Sequence, residues 1–511
     1  METTVHFQPL DWSLLALYLM FLLVVGFWPR KQNTEDYLIA NRSLGLPVFV
    51  ATLVATWYGG ILGAGEFAYN YGLYAWVTNG LPYYVFAFAF ALFLARRVRG
   101  GAAHLYTIPD KLEQEYDRKT ALLGAGFAFL YASPSSYVLM AGTLLHLLFG
   151  WHIIIAMLVS ILFSIVYVFR GGFLADVRVN TLQFVLMFTG FLIAAWLCLS
   201  RFGGLHYLTA PGRLPPTHLH LLGDQSIAAA AVWFFIALTT LTDPGFHQRC
   251  YAARNGKVAV TGILIAILCW ALFDTLTMTT GLFARALIPN LTDAKMAFPA
   301  LAERIMPPGI KGLFYVGMLA PIMASIVSYT FISAMTVGRD FIWRLRDAPT
   351  KSGTESVNNR NESEGGNKSG SEEENKAEDD SRVPGYTRIG LIATSLLAMG
   401  IALAIPSVVS QWYYIGTIIV PGMLIPLLGA YATSPRAKAH PDFAFASMLC
   451  GASVAFISLL WGWQHIKNEE AQFLFGWQPM YPGLLVAAVL YGIGLLPHFK
   501  AKSPLKNNPE Q

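Results

Sequence analysis

The chain has 511 residues, of which 55% are hydrophobic and only 13% charged, about half the charged share of a soluble globular domain. A series of water-soluble domains is therefore excluded, and the net charge of +5, with no basic patch interleaved with aromatic residues, gives no nucleic-acid surface. The composition predicts one all-α polytopic membrane domain whose partners are the lipid bilayer and a small molecule that crosses it.

In chain order, apolar runs long enough to cross about 30 Å of hydrocarbon fall near residues 10–28, 44–72, 80–94, 121–149, 151–167, 180–200, 227–244, 258–287, 313–337, 389–408, 412–431, 443–461 and 482–496. That makes about thirteen spans. The first run lacks a basic leading segment and a small-residue cleavage site, and Arg30 and Lys31 follow it, so it reads as a helix rather than a signal peptide. Lys and Arg favour alternate loops roughly three to one, which predicts the N-terminus outside and the C-terminus in the cytoplasm, in a plasma or inner membrane. Residues 346–385 are polar and acidic and read as a disordered cytoplasmic linker. Cys198, Cys250, Cys269 and Cys450 have no paired spacing, so neither a disulfide framework nor a metal site is expected. There is no P-loop, HExxH or Cys-rich zinc pattern, which disfavours an ATP-driven pump. Transport work must then draw on an ion gradient.

Within the second run, residues 55–72 read ATWYGGILGAGEFAYNYG. A carboxylate at that depth, Glu66, needs a partner, a cavity or a proton. The flanking Gly59, Gly60, Gly63 and Gly65 suit either close helix packing or an unwound turn that offers carbonyl oxygens to a cation. An interrupted helix in one half of a transporter implies a counterpart in the other, and the seventh run holds Thr239, Thr240, Thr242, Asp243, Pro244 and Gly245. The Pro-Gly pair stands near the inner end, where it either breaks or simply stops the helix. The Thr cluster is the expected midplane break.

Five stretches then fall in a familiar order: DYLIANRSLGLPVFVATLVATWYGG, YTIPDKLEQEYDRKT, VFRGGFLADVRVNTLQFVLMFTG, DPGFHQRCYAARNGKVAVTG and APIMASIVSYTFISAMTVGRD. Together they resemble the sodium:solute symporter family, over roughly residues 36–340. The resemblance implies the leucine-transporter-like fold, a core of five plus five helices related as inverted repeats. It divides the chain into an extra helix and first inner loop (1–43), core helices one to eight (44–345), the linker (346–385), the last two core helices (386–435), and two extra helices with a tail (436–511). It also implies no enzymatic chemistry but sodium-coupled symport of an amino acid, sugar, vitamin or amine by alternating access.

The family's sodium site, carried over by position, falls on the carbonyls of Ala55 and Tyr58 and on Pro321, Ala324 and Ser325. Two departures stand out. Ala324 precedes Ser325 where the family has two adjacent hydroxyl residues, and Val179 and Asn180 replace the family's Thr-Asp pair before Gln183. The lost hydroxyl and acid leave proton coupling through Glu66 as the alternative, beside a transporter-like sensor without flux. By the same analogy the solute site is expected on Glu66, Asn70, Ser136, Tyr137, Trp233, Thr240 and Tyr414, with Ser133, Ser135, Trp412 and Tyr413 beside them. Glu66 would favour an amine, a cation or a hydroxyl-rich solute over a bare anion.

Overall fold

The computed structural model describes residues 5–28, 33–100, 105–346, 382–467, 470–473 and 476–497; most of the expected linker lies outside them. Eleven of the described helices are long and apolar enough to cross a membrane. They are α1 (Pro9–Gly26), α2 (Leu46–Tyr71), α3 (Tyr74–Gly100), then, past the amphipathic α4 (Ile108–Glu115), α5 (Arg118–Phe149), α6 (Ile153–Phe202), α7 (Ile227–Ala252), α8 (Gly256–Leu287), α9 (Ile310–Arg346), α10 (Val383–Ala404), α11 (Val408–Ala430) and α12 (Pro441–Gln464). A further apolar helix, α13 (Met480–Gly494), has 15 residues, or about 22 Å, short of a full crossing.

The difference between eleven and the expected thirteen has a physical origin. Helix α6 runs for 50 residues, about 75 Å if straight, which no bilayer accommodates. Gly172, at φ 55° and ψ −151°, folds it into two rods. Only glycine takes up that backbone freely, and a side chain there would meet the carbonyl of Tyr37. Two of the expected spans are thus one helix by hydrogen bonding, and the last is too short to count by length.

Helix α9 is the central rod. Its apolar stretch is 89% buried, against 28% for α1, and Gly317 lets it approach Gly190 of α6 at backbone distance. The α1 start is tied to it: Asp11 accepts hydrogen bonds from the backbone N–H groups of Gly309 and Gly312, each 2.7 Å. Large apolar side chains such as Leu268, Leu396 and Ile457 point outward and are exposed, as a lipid-facing surface requires.

At the opposite end, α4 clamps α9. Thr107 and Asp110 form a capping box at the α4 N-terminus, and the same Asp110 carboxylate accepts from Arg339 Nε (3.2 Å) and Arg344 Nη2 (2.7 Å). Burial would raise the Asp110 carboxyl, but Arg339 and Arg344 outweigh it and hold it below the usual carboxylate range. Arg339 and Arg344 are buried.

Candidate functional site

Helix α2 is two rods, Leu46–Trp57 and Ile61–Tyr71, joined by a 3₁₀ turn at Tyr58–Gly60. No side chain caps the turn, so its shape depends on its neighbours. A Cβ on Gly59 would collide with Ser325 and the Tyr137 ring, and one on Gly60 with the Trp412 ring. The glycines therefore serve close approach. From α9, Ser325 donates to the carbonyl of Thr56 at 2.5 Å and to that of Pro321 at 3.0 Å. A 3₁₀ turn loosens the i→i+4 ladder, and the Ser325 hydroxyl meets the carbonyl oxygens of Thr56 and Pro321 beside it. Ala55, Ala324 and Ser325 are fully buried. Such oxygens suit a hard cation.

Beside this point lies a buried polar cluster. Ser328 donates to Asp176 at 2.7 Å, Asn180 Nδ2 donates to Asp176 at 3.0 Å, and Arg249 Nη2 donates to Thr56 Oγ1 at 2.7 Å. Arg249 Nη2 is 3.9 Å from Asp176 Oδ2, and both side chains are fully buried. This corrects one expectation: a carboxylate, Asp176, stands one helical turn before Asn180 on the same face of α6, with the buried Arg249 as its counter-ion.

The second interruption is in α7. The Thr239–Thr242 turn is helical; the break is at Asp243, with φ −63° and ψ 115°, and Pro244 opens the next helix. The expected Thr break is thus displaced by one residue, and the Pro-Gly pair starts a helix rather than ending one, as proline at a first helical position does. The Asp243 Oδ1 accepts the N–H of Gly245 at 2.6 Å, while its Oδ2 accepts the hydroxyls of Tyr329 (3.0 Å) and Tyr131 (3.2 Å).

Between the two breaks is a cavity of about 170 Å³. Helix α2 contributes Trp57, Tyr58 and Gly60, α3 Asn79 and Tyr83, α7 Thr239 and Asp243, α8 Asp274, α9 Tyr329, and α11 Trp412. From α5, split at residues 132–134, come Tyr131, Ser133, Ser136 and Tyr137. Trp412 Nε1 donates to Ser136 at 3.2 Å, and Tyr137 stacks on Tyr329 with ring centroids 5.5 Å apart.

Of the residues expected to meet solute, Ser136 and Tyr137 line this cavity, with Ser133 and Trp412 beside them. The others are not on its wall. Glu66 lies farther along α2, with Lys295 and Asp293 as charged neighbours, and Asn70 is exposed. Trp233 packs edge-on against Phe67, Tyr414 accepts from Trp463 at 3.3 Å, Ser135 donates to Gln411 at 2.7 Å, and Tyr413 donates to Gln478 at 2.5 Å. Thr240 is fully buried, its hydroxyl without a partner among the described residues. The residue missed in sequence is Asp274, in the run CWALFDTLTM. The rule that singles out Glu66, a carboxylate in an apolar span, points equally to it.

Comparison with known proteins agrees with this architecture. A profile of the sodium:solute symporter family matches residues 37–360. A sodium/glucose cotransporter of Vibrio parahaemolyticus is 23% identical over 62% of this chain and 66% of its own length. A sodium/proline symporter of Staphylococcus aureus (strain JH9) is 25% identical over 65% of this chain and 68% of its own. The chain thus matches about two thirds of the length of these relatives. In three dimensions it superposes on a Na+-coupled sialic acid symporter, solved in a substrate-bound outward-open state, with TM-score 0.71 and 15% identity over 96% of this chain and 98% of the other. That likeness gives the leucine-transporter-like fold with its inverted repeats. The chain belongs to the sodium:solute symporter family, and is an integral membrane transporter rather than an enzyme.

Proposed function

We propose that this chain imports a small organic solute together with sodium by alternating access, the ion held where the α2 break meets Ser325 and the solute in the neighbouring cavity. The single observation that carries the reading is the uncapped turn at Tyr58–Gly60, packed on Ser325 on one side and open to the cavity on the other. A cation between Ala55, Tyr58, Pro321, Ala324 and Ser325 would fix that turn and with it the cavity wall formed by Trp57, Tyr58 and Gly60. Binding of ion and solute is then mutually favourable, because each stabilises the same backbone arrangement. Asp176, beside Ser328, gives the ion a negatively charged step as it leaves.

The relatives are named for glucose, proline and sialic acid, so the fold accommodates chemically different solutes. The N-terminus lies outside and the C-terminus in the cytoplasm of the plasma or inner membrane, in keeping with the basic inner loops. Purified full-length chain in NaCl should unfold at a higher temperature than in KCl of equal ionic strength, and Ser325→Ala should reduce that difference. In proteoliposomes, uptake should follow an imposed sodium gradient. Uptake driven by protons and indifferent to sodium would overturn the reading in favour of a proton-coupled carrier, for which Glu66 is the candidate.

A further inference from the structure

Resting on that transport reading, we infer that the solute is an organic cation, a small amine or quaternary ammonium without a carboxylate of its own. Among the described residues, the cavity wall holds two carboxylates, Asp243 and Asp274, and no Lys, Arg or His. Asp274 Oδ1 accepts the Tyr58 hydroxyl at 2.7 Å, and its other oxygen accepts the hydroxyl of Tyr84. Asp243 is held by Tyr131, Tyr329 and backbone N–H groups. All of these hydrogen-bond donors are neutral, and the one charged neighbour of Asp243, Arg249, bonds to the carbonyl of Gly245 rather than to the carboxylate. The donors fix the carboxylates in place without cancelling their charge.

The charge balance of the region points the same way. Arg249 is the one guanidinium bonded into the polar cluster among the described residues; it donates to Thr56, to Ser328 and to the carbonyl of Gly245. It faces Asp176 at 3.9 Å. Set against Asp176, Asp243 and Asp274, one guanidinium leaves two carboxyl groups without a cation of their own, and in a low-dielectric interior these hold a charge only when a bound cation accompanies them. Bound sodium offsets one of them, and a cationic solute offsets the other. A zwitterion or an acid would instead bring a carboxylate against a wall that offers it no cation.

The remaining surface fits an ammonium head. Trp57, Tyr83, Tyr137 and Trp412 line the cavity, and aromatic rings attract cations, Trp most strongly. Ser133 is buried, with 5% exposure, and lines the cavity, and its hydroxyl has no hydrogen-bond partner among the described residues. Its hydroxyl is left for a ligand. At about 170 Å³ the space is smaller than the roughly 300 Å³ at which drug-sized sites begin, which limits the solute to a few heavy atoms beyond its nitrogen.

The test uses full-length chain in proteoliposomes with four labelled probes: choline, putrescine, proline and glucose. In a sodium gradient, choline or putrescine should accumulate, and proline and glucose should not. Asp274→Asn should weaken amine binding at least tenfold, while the variant's unfolding temperature still rises in NaCl over KCl, which shows that it is folded. Trp412→Leu should give a smaller loss in the same assay. Should Asp274→Asn fail to fold, Ser133→Ala and Trp412→Leu in the folded chain decide the matter. Sodium-driven uptake of proline or glucose, or amine affinity unchanged in these variants, would overturn the cationic assignment and leave the transport reading intact. A wild-type chain whose stability ignores sodium and that accumulates none of the probes would overturn both.

Discussion

The two helix interruptions that frame the cavity are built on opposite principles. The break in α7 carries its own support: Asp243 accepts the N–H groups that open the next half-helix and Pro244 sets the first helical φ, so the bend is written into three consecutive residues. The break in α2 has no cap; it depends on Ser325 and Trp412, which press against glycines from other helices. The first is a fixed corner. The second is a turn whose shape depends on what packs or binds against it, which makes it the natural place for an ion to act.

The largest expected effect is at the dependent turn. Gly59→Ala drives a methyl group into Ser325 and Tyr137, and overpacking of this kind costs about 1–3 kcal/mol; sodium-driven uptake should be lost and the unfolding temperature should fall. The fixed corner should respond differently. Asp243→Ala removes a cap worth about 1 kcal/mol, whereas Asp243→Asn keeps an acceptor and should retain most of the stability in a thermal melt, so equal losses in both would refute a self-capped corner. Ser325→Ala should raise the sodium concentration for half-maximal uptake roughly fivefold, the equivalent of about 1 kcal/mol for one lost ligand or hydrogen bond.

Smaller effects are expected away from both breaks. Glu66→Gln lies outside the cavity wall and should change uptake by no more than about twofold, as for a substitution remote from packing and ligand; a larger change would move the solute path outward along α2. The clamp at α4 should be silent near neutral pH. Because the Asp110 carboxyl is held below its usual value, its ion pairs stabilise the fold fully above about pH 4 and lose that contribution as pH falls through the folded value. A melt series from pH 7 to about pH 3 should therefore stay flat in its upper part and decline only at the acid end if this clamp governs it.

Much of the architecture was legible before any coordinates. Apolar runs gave the helices because lipid forces every backbone group to be satisfied within the segment, and ATWYGGILGAGEF marked α2 as either closely packed or interrupted, of which the structure shows both. The α7 break was located one residue away from its true position, since a Thr cluster and an Asp-Pro step look equally disruptive in one dimension. Glu66 drew attention through its glycine-rich setting, yet Asp274, alone in an apolar helix, faces the cavity. Which side of a helix a carboxylate occupies is fixed by packing, and periodicity cannot assign it where every face is apolar.

The sequence by itself determined the class, the spans, the family and the two places where helices fail, because these follow from residue type and order along one chain. Only the tertiary structure decided that Asp176 replaces the acid absent at Asn180, that Arg249 is buried beside it, and that Asp243 and Asp274 share one cavity. The last two of these join residues tens of positions apart on different helices, and they are selected by close packing of helices and by the need to neutralise charge where water is excluded.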